Sequence, residues 1–381
     1  MSLVFKPIKV GNLTLMNRFM RSPCSEHRAD PKTGIANAKL LKYIEQLGEG
    51  KVGLIVPGYV YISQRGKAGP AQTGLHTKEQ AEVWRKTIEK VHSYGSKLVF
   101  QIAHAGSCLD PVSANHEPFG VSDGALNPEA RAMTLQEIEE TIQEFVDSAK
   151  LAKSVNADGV QLHGAHCYLL STFLSPLFNR RTDKYGGSHE NRIRIVQEIT
   201  DEIKKACGND FPVLIKMNSN DCVEGGTTPE IASKVVHSLK GIDLFELSGG
   251  TTAMTIIRSK PVSSFYKKAK IEEINYYIDT QRSNDAHYQF EENYFLEGAK
   301  LIKKENPDKL IAVVGGIREL SQMEEIVSSG AADIVSLGRP LIREPFLIRD
   351  FINGKKTRAD CISCGECILR NPSGKCYFPK V

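Results

Sequence analysis

No stretch of this sequence approaches the roughly 18–20 consecutive apolar residues of a membrane-spanning helix. No secretory leader is expected either, because Lys6, Pro7 and Lys9 interrupt the opening residues before an apolar core can form. Charge of one sign is equally scarce: 49 Lys and Arg against 45 Asp and Glu leave +4 over 381 residues. With no basic block or aromatic-interleaved stripe, that balance argues against a nucleic-acid partner. No Gly-x-Gly-x-x-Gly opens a helix after a strand-like run, so an open doubly wound sheet lacks its dinucleotide fingerprint. The nine cysteines are an odd number in a large chain, which fits reduced thiols in a cytoplasmic protein better than a secreted disulfide framework.

What is present is an ordinary globular balance, 41% hydrophobic and 25% charged, in a chain long enough to bury a large core unaided. Short apolar, often β-branched runs recur at 18–22, 52–56, 97–102, 159–163, 213–217, 244–248, 310–314 and 334–337, each followed by a polar loop and a helical pattern. Runs such as Gly53-Leu-Ile-Val56 and Ile311-Ala-Val-Val314 lack alternation, which is how strands buried on both faces of a parallel sheet read. Residues 135–155 carry an apolar stripe at Ile138, Ile142, Phe145, Val146 and Ala149, and Thr134 with Glu137 makes a capping box at their start. Helical patterns also cover 191–206, 229–239, 294–304 and 321–329, with Pro229 in a first turn and Gly330 beyond a last one. Eight strand-then-helix units predict an α/β fold, a single (β/α)₈ TIM barrel, with the open doubly wound sheet as the alternative. The barrel is expected over residues 1–355, with extended βα loops at 103–133 and 249–293, and a short cysteine-containing tail over 356–381.

Polar and glycine-rich residues gather just after the apolar runs. They are Ser22-Pro23-Cys24-Ser25, then Pro57-Gly58, Gln101 with His104, and His163 followed by His166 and Tyr168. Lys216 lies within Val213-Leu-Ile-Lys-Met217, and Ser248-Gly249, Gly315-Gly316 and Gly338-Arg339 close the last three strands. In a barrel all of these converge on one rim. The final glycine turns with Arg339 can hold a phosphate through exposed N–H groups and a fixed cation, or be simple tight turns. His163 and His166 lack the acidic partner of a zinc site, so no metal is expected there. With Tyr168 they suit a carbonyl-binding pair plus an acid, the alternative being satisfied core histidines. Lys216 is expensive in an apolar run unless it meets an anion or a ligand, or extends to the rim with only its stem buried.

The segments Leu162-His-Gly-Ala-His-Cys-Tyr168 and Asn179-Arg-Arg-Thr-Asp-Lys-Tyr-Gly-Gly-Ser-His-Glu-Asn-Arg192 resemble the central signature of the Old Yellow Enzyme family. Phe100-Gln-Ile-Ala-His-Ala-Gly106, Val313-Val-Gly-Gly-Ile317 and Leu337-Gly-Arg-Pro-Leu-Ile-Arg-Glu-Pro345 resemble it too, so the likeness spans the barrel. The resemblance implies FMN bound noncovalently at the C-terminal rim, NADPH or NADH as reductant, and hydride delivery to an activated alkene or a similar small electrophile. It implies flavin contacts from Ser22, Pro23, Cys24, Gly58 and Gly249, with Ser25 near N5 and O4 and Gln101 on the pyrimidine edge. Lys216 would face N1 and O2, where many members carry Arg, and Gly315, Gly316, Gly338 and Arg339 would hold the phosphate. His163 and His166 would bind the acceptor's carbonyl oxygen, and Tyr168 would donate the proton. Cys167 stands where the family typically has Gly, and Ser107 replaces a common Arg.

Cys361, Cys364, Cys367 and Cys376 match no standard spacing: the fourth comes too late for a ferredoxin run, and two Cys-x-x-Cys pairs are missing. The tail is read as reduced thiols without metal, the alternative being an iron–sulfur centre as in the dienoyl-CoA reductase branch. That branch carries a second nucleotide-binding domain after the cysteines, which is not expected here. The functional expectation is an FMN-dependent ene-reductase. The alternatives are a cluster-containing dienoyl reductase-like enzyme and a flavin redox carrier without alkene turnover.

Overall fold

Continuous apolar runs become strands buried on both faces, and eight of them close on one another. In this computed structural model, which describes residues 2–108, 117–251, 258, 290–365, 367 and 376, the barrel strands are β1 (Phe19–Arg21), β2 (Leu54–Ile55), β3 (Lys97–Ala103), β4 (Gly159–Gly164), β5 (Val213–Asn220), β6 (Leu244–Gly249), β7 (Ile311–Val313) and β8 (Ile334–Leu337). Each pairs in parallel with its sequence neighbours. The pairing of β8 with β1 closes the ring. All eight strands lie on the runs the sequence marks. The lysine-rich stretch 251–292, which the sequence leaves unassigned, falls almost entirely outside the described residues.

A helix of the outer ring follows each strand: α1 (Ala38–Glu49), α2 (Arg85–Ser93), α3 (Leu135–Ser154), α4 (His189–Cys207), α5 (Pro229–Ser238), α6 (Leu296–Glu305), α7 (Leu320–Ser328) and α8 (Leu347–Ile352). Short helices also form at Lys78–Glu82, Leu169–Leu174 and Arg339–Arg343. The capping box at Thr134 and Glu137 forms as read. Helix α4 begins earlier than its periodicity indicates, because Ser188 caps it by accepting from the Asn191 amide at 3.2 Å. Helices α1, α2 and α8 are not among those the sequence pattern marks, although α1 buries the stripe Leu40, Tyr43, Ile44 and Leu47.

An antiparallel hairpin, Ile8–Val10 with Leu13–Leu15, precedes the barrel and plugs its lower end. Its turn needs Gly11, whose φ is +53° and whose missing Cβ leaves room for the Asp243 carboxylate 2.6 Å from that position. Val10, Leu13 and Leu15 pack against Met20, Leu54, Val99, Leu214, Leu244, Ala312 and Ile334, one inward residue from each of seven strands. Side chains alternate along a strand, so the residues two positions on form the next inward layer. That layer is largely polar, with Ser22, Gln101, Lys216, Glu246 and Ser336 in it, and Gln161 contributed by β4. Two positions further again come His163, Asn218 and Ser248. The barrel therefore turns from hydrocarbon to hydrogen-bonding groups as it rises, and the polar end is where the strands stop.

Candidate active site

The polar layer is a connected network. Gln101 Nε2 donates to Gln161 Oε1 at 2.9 Å, and Gln161 Nε2 donates to Glu246 Oε2 at 2.9 Å. The other carboxylate oxygen of Glu246 accepts from Ser22 Oγ at 2.6 Å, Ser336 Oγ at 2.8 Å and Lys216 Nζ at 3.3 Å. Lys216 also donates to Ser22 Oγ at 2.7 Å. Glu246 is 0% exposed and Lys216 only 4%, so each ion is tolerated because the other is there. Removing one partner of such a pair typically costs about 3–5 kcal/mol, since the remaining charge is stranded. The anion that Lys216 requires is thus supplied by the protein itself.

Above this layer, β4 ends in a turn of unusual backbone. His166 and Cys167 are consecutive residues with φ of +62° and +64°. This is a conformation glycine adopts freely and other residues adopt at a penalty. The Cys167 thiol lies 3.6 Å from the Thr251 carbonyl oxygen and does not line the cavity described below. What the turn accomplishes is to bring His163, His166 and Tyr168 to one place. The His163 ring stacks on Tyr168 at a centroid distance of 4.4 Å and stands edge-on to His166 at 5.6 Å. His166 Nε2 pairs with Ser248 Oγ at 2.8 Å, and its backbone N–H donates to Asn218 Oδ1 at 3.2 Å.

Burial and the nearby Lys216 ammonium hold both imidazoles neutral, His163 down to about 3 and His166 well below its ordinary value, where the His163 ring adds to the effect. Burial pushes the Tyr168 phenol well above its usual value, and the adjacent Tyr59 raises it further. Tyr59, a residue the sequence did not single out, hydrogen-bonds to both Tyr168 and Ser25. His163 Nδ1 is buried with no hydrogen-bond partner among the described residues.

These groups open onto a cavity of about 250 Å³ continuous with solvent. Ser22, Pro23, Cys24, Ser25, Gln101, His163, His166, Tyr168 and Lys216 all line it, as do Gly315, Gly316, Gly338 and Arg339. Two expected residues do not. The Gly58 N–H is committed to Glu26 Oε2 at 2.8 Å, and a Cβ there would strike the same carboxylate. Gly249 exists for packing, since a Cβ on it would lie 2.6 Å from the Phe295 ring. Ser248 takes its place on the cavity wall.

The far end of the cavity carries the cations. Gly315 and Gly316 have φ of +136° and +75° and sit beneath the Tyr294 ring, where any side chain would collide. The amides of Gly316, Ile317, Gly338 and Arg339 donate to no backbone carbonyl among the described residues. Arg339 approaches the Tyr294 hydroxyl and the Ser363 carbonyl, both at 3.5 Å, and Arg318 joins it on the same wall. One end of the cavity thus offers amides and guanidinium groups, and the other offers neutral imidazoles, a phenol and an ammonium. That donor set matches FMN, an anionic phosphate at one end and a hydrogen-bonding ring system at the other.

A second, much smaller cavity of about 20 Å³ shares Arg339 and Ser363 with the first and is lined by Cys361, Cys364, Cys367 and Cys376. Arg343 Nη1 lies 3.5 Å from Cys376 Sγ. Among the described residues no three His, Cys, Asp or Glu side chains close around one point as a single metal ion requires. No helix among the described residues is long and apolar enough to cross a membrane.

Residues 3–358 match the family model described as NADH:flavin oxidoreductase / NADH oxidase family. The chain is 34% identical over 369 residues to an NADH oxidase of Thermoanaerobacter brockii, covering 95% of this chain and 52% of that protein, so it spans about half the relative's length. It is 30% identical over 350 residues to an NADPH dehydrogenase of Bacillus subtilis (strain 168), covering 91% of this chain and 93% of that one. Its fold is similar to that of the old yellow enzyme homologue from Zymomonas mobilis, with a TM-score of 0.74 at 22% identity over 99% of both chains. The chain belongs to the NADH:flavin oxidoreductase / NADH oxidase family.

Proposed function

We propose that the protein reduces the carbon–carbon double bond of small α,β-unsaturated carbonyl compounds, with His163, His166 and Tyr168 as the substrate-facing groups. The observation that carries this reading is one cavity with an amide-and-arginine end and a neutral-imidazole, phenol and ammonium end. Gly315, Gly316, Gly338 and Arg339 would hold the phosphate of FMN. Ser22, Pro23, Cys24, Ser25, Gln101 and Lys216 would flank its ring system. When bound, the cofactor would supply hydride transfer between NADPH or NADH and the acceptor.

The residues do the rest. His163 and His166 donate hydrogen bonds to the acceptor's carbonyl oxygen, which draws electron density from the alkene and stabilises negative charge as hydride reaches Cβ. Neutral imidazoles are suited to this role, because they donate without surrendering a proton to the oxygen. Tyr168 gives its proton to Cα, and its raised pKa keeps it protonated at neutral pH until the carbon becomes basic. Tyr59, hydrogen-bonded to Tyr168, holds the phenol in place.

A second reading concerns the tail, and the clustering of its four cysteines around one cavity favours it. An iron–sulfur cluster spaces its ligands more widely than a single ion does, and the all-thiol donor set beside two arginines suits it. Anaerobically purified protein is then expected to carry iron and acid-labile sulfide at roughly four of each per chain, as a four-iron cluster requires. Iron near zero would leave the tail as reduced thiols.

In Tyr168→Phe, rapid mixing is expected to show flavin reduction by NADPH unchanged and reoxidation by an enone slowed by about 10²-fold or more, the usual reach of a general acid. Equal rates in wild type and variant would remove Tyr168 from the reaction. Wild-type reoxidation no faster with enones than with dioxygen would make the protein a redox carrier instead.

His163 gains charge only as pH falls through its lowered value of about 3, not through the ordinary imidazole value of 6.5. Imidazole nitrogen shifts in NMR are therefore expected to stay those of the neutral ring from about pH 8 down to about pH 5. A His163 titration centred near 6.5 would contradict the neutral-donor role.

A further inference from the structure

We propose that Glu246 is a positioning residue that sets how much positive charge Lys216 presents to the flavin. Glu246 itself does not line the cavity, whereas Ser22, Lys216 and Ser336, all bonded to it, do. Its carboxylate is held from four sides, by Gln161 on one oxygen and by Ser22, Ser336 and Lys216 on the other. With every direction occupied it cannot turn toward a ligand, so it acts on the cavity through the groups it holds.

The pairing works in two ways. Ser22 Oγ accepts from Lys216 at 2.7 Å and donates to Glu246 at 2.6 Å, which fixes the ammonium on the side of the barrel where β1 ends. The carboxylate, 3.3 Å from the same ammonium, also offsets its charge inside a low-dielectric interior where an unpaired ion acts over long range. Reduced flavin is more negative than oxidised flavin, so a bare ammonium at this position favours reduction. A compensated one favours it less. Glu246 thereby keeps bound flavin easy to oxidise again, as delivery of hydride to an acceptor requires. The inference rests on Lys216 facing the flavin, which belongs to the proposed function.

Spectroelectrochemical titration of the FMN-loaded protein tests it, with Glu246→Gln, Glu246→Asp, Lys216→Met and the Lys216→Met/Glu246→Gln double variant. Gln keeps the size and an acceptor oxygen but removes the charge. Glu246→Gln is expected to raise the midpoint potential by at least a tenfold shift of the reduced-to-oxidised ratio, about 30 mV for a two-electron couple. Glu246→Asp returns it toward wild type, and Lys216→Met lowers it. Glu246 acts through the lysine, so with Lys216 already Met the further loss of its charge leaves the potential unchanged, and the double variant matches Lys216→Met.

If Lys216→Met lowers the potential but Glu246→Gln leaves it unchanged or lower, the role of Glu246 is overturned. If Lys216→Met has no effect, the fault lies in placing Lys216 against the flavin. Should Glu246→Gln fail to fold, Lys216→Met is compared with the double variant: equal potentials support coupling through the lysine, and unequal ones overturn it.

Discussion

An ammonium and a carboxylate 3.3 Å apart, sealed inside a closed ring of eight strands, are what the upper half of this barrel is organised around. Burying either ion alone is costly, so the strands that supply them, β5 and β6, must keep their register, which places Lys216 directly beside Glu246. Ser22, Ser336, Gln161 and Gln101 then follow as the groups that complete the hydrogen bonding of the pair across the interior. The same layer is the floor on which the cavity stands. Lys216 also helps hold His163 and His166 neutral, so one buried charge conditions both imidazoles above it.

The two ends of the barrel divide the work. Below the polar layer the interior is hydrocarbon, closed by the hairpin with Val10, Leu13 and Leu15, and serves stability. Above it, residues with strained or unsatisfied groups accumulate: the left-handed His166 and Cys167, the unpartnered His163 Nδ1, and the glycine turns at 315–316. Such features are unfavourable in an isolated fold and become useful when a ligand completes them. That asymmetry is what this architecture offers to enzymes, since the strand ends converge on one rim.

The fold was legible because parallel-strand burial leaves a direct trace, and all eight short apolar runs became barrel strands. Most of the rim was legible too, because polar residues that interrupt the end of an apolar run have few purposes except chemistry. Lys216 is the clearest instance: its burial demanded an anion, and the structure supplies one. Glu246 carries the same signal within Leu244-Phe-Glu-Leu247 and was passed over, although it sits two residues before Ser248 on the same face. Gln161 was missed for the same reason, two before His163. Tyr59, Tyr294 and Arg318 reach the cavity from loops, where no periodicity announces direction. Gly58 and Gly249 show the converse, because a glycine needed for close packing and one needed for a ligand look identical in sequence.

The central claim is that hydride and proton reach opposite carbons of an activated alkene from two different sources, the cofactor and Tyr168. Isotopic labelling reads this directly. Reduction of an enone with NADPH deuterated at its transferable position, in ordinary water, is expected to place deuterium at Cβ alone. Unlabelled NADPH in deuterium oxide is expected to place it at Cα alone. Solvent deuterium at Cβ, or no saturated product under either condition, would contradict the account.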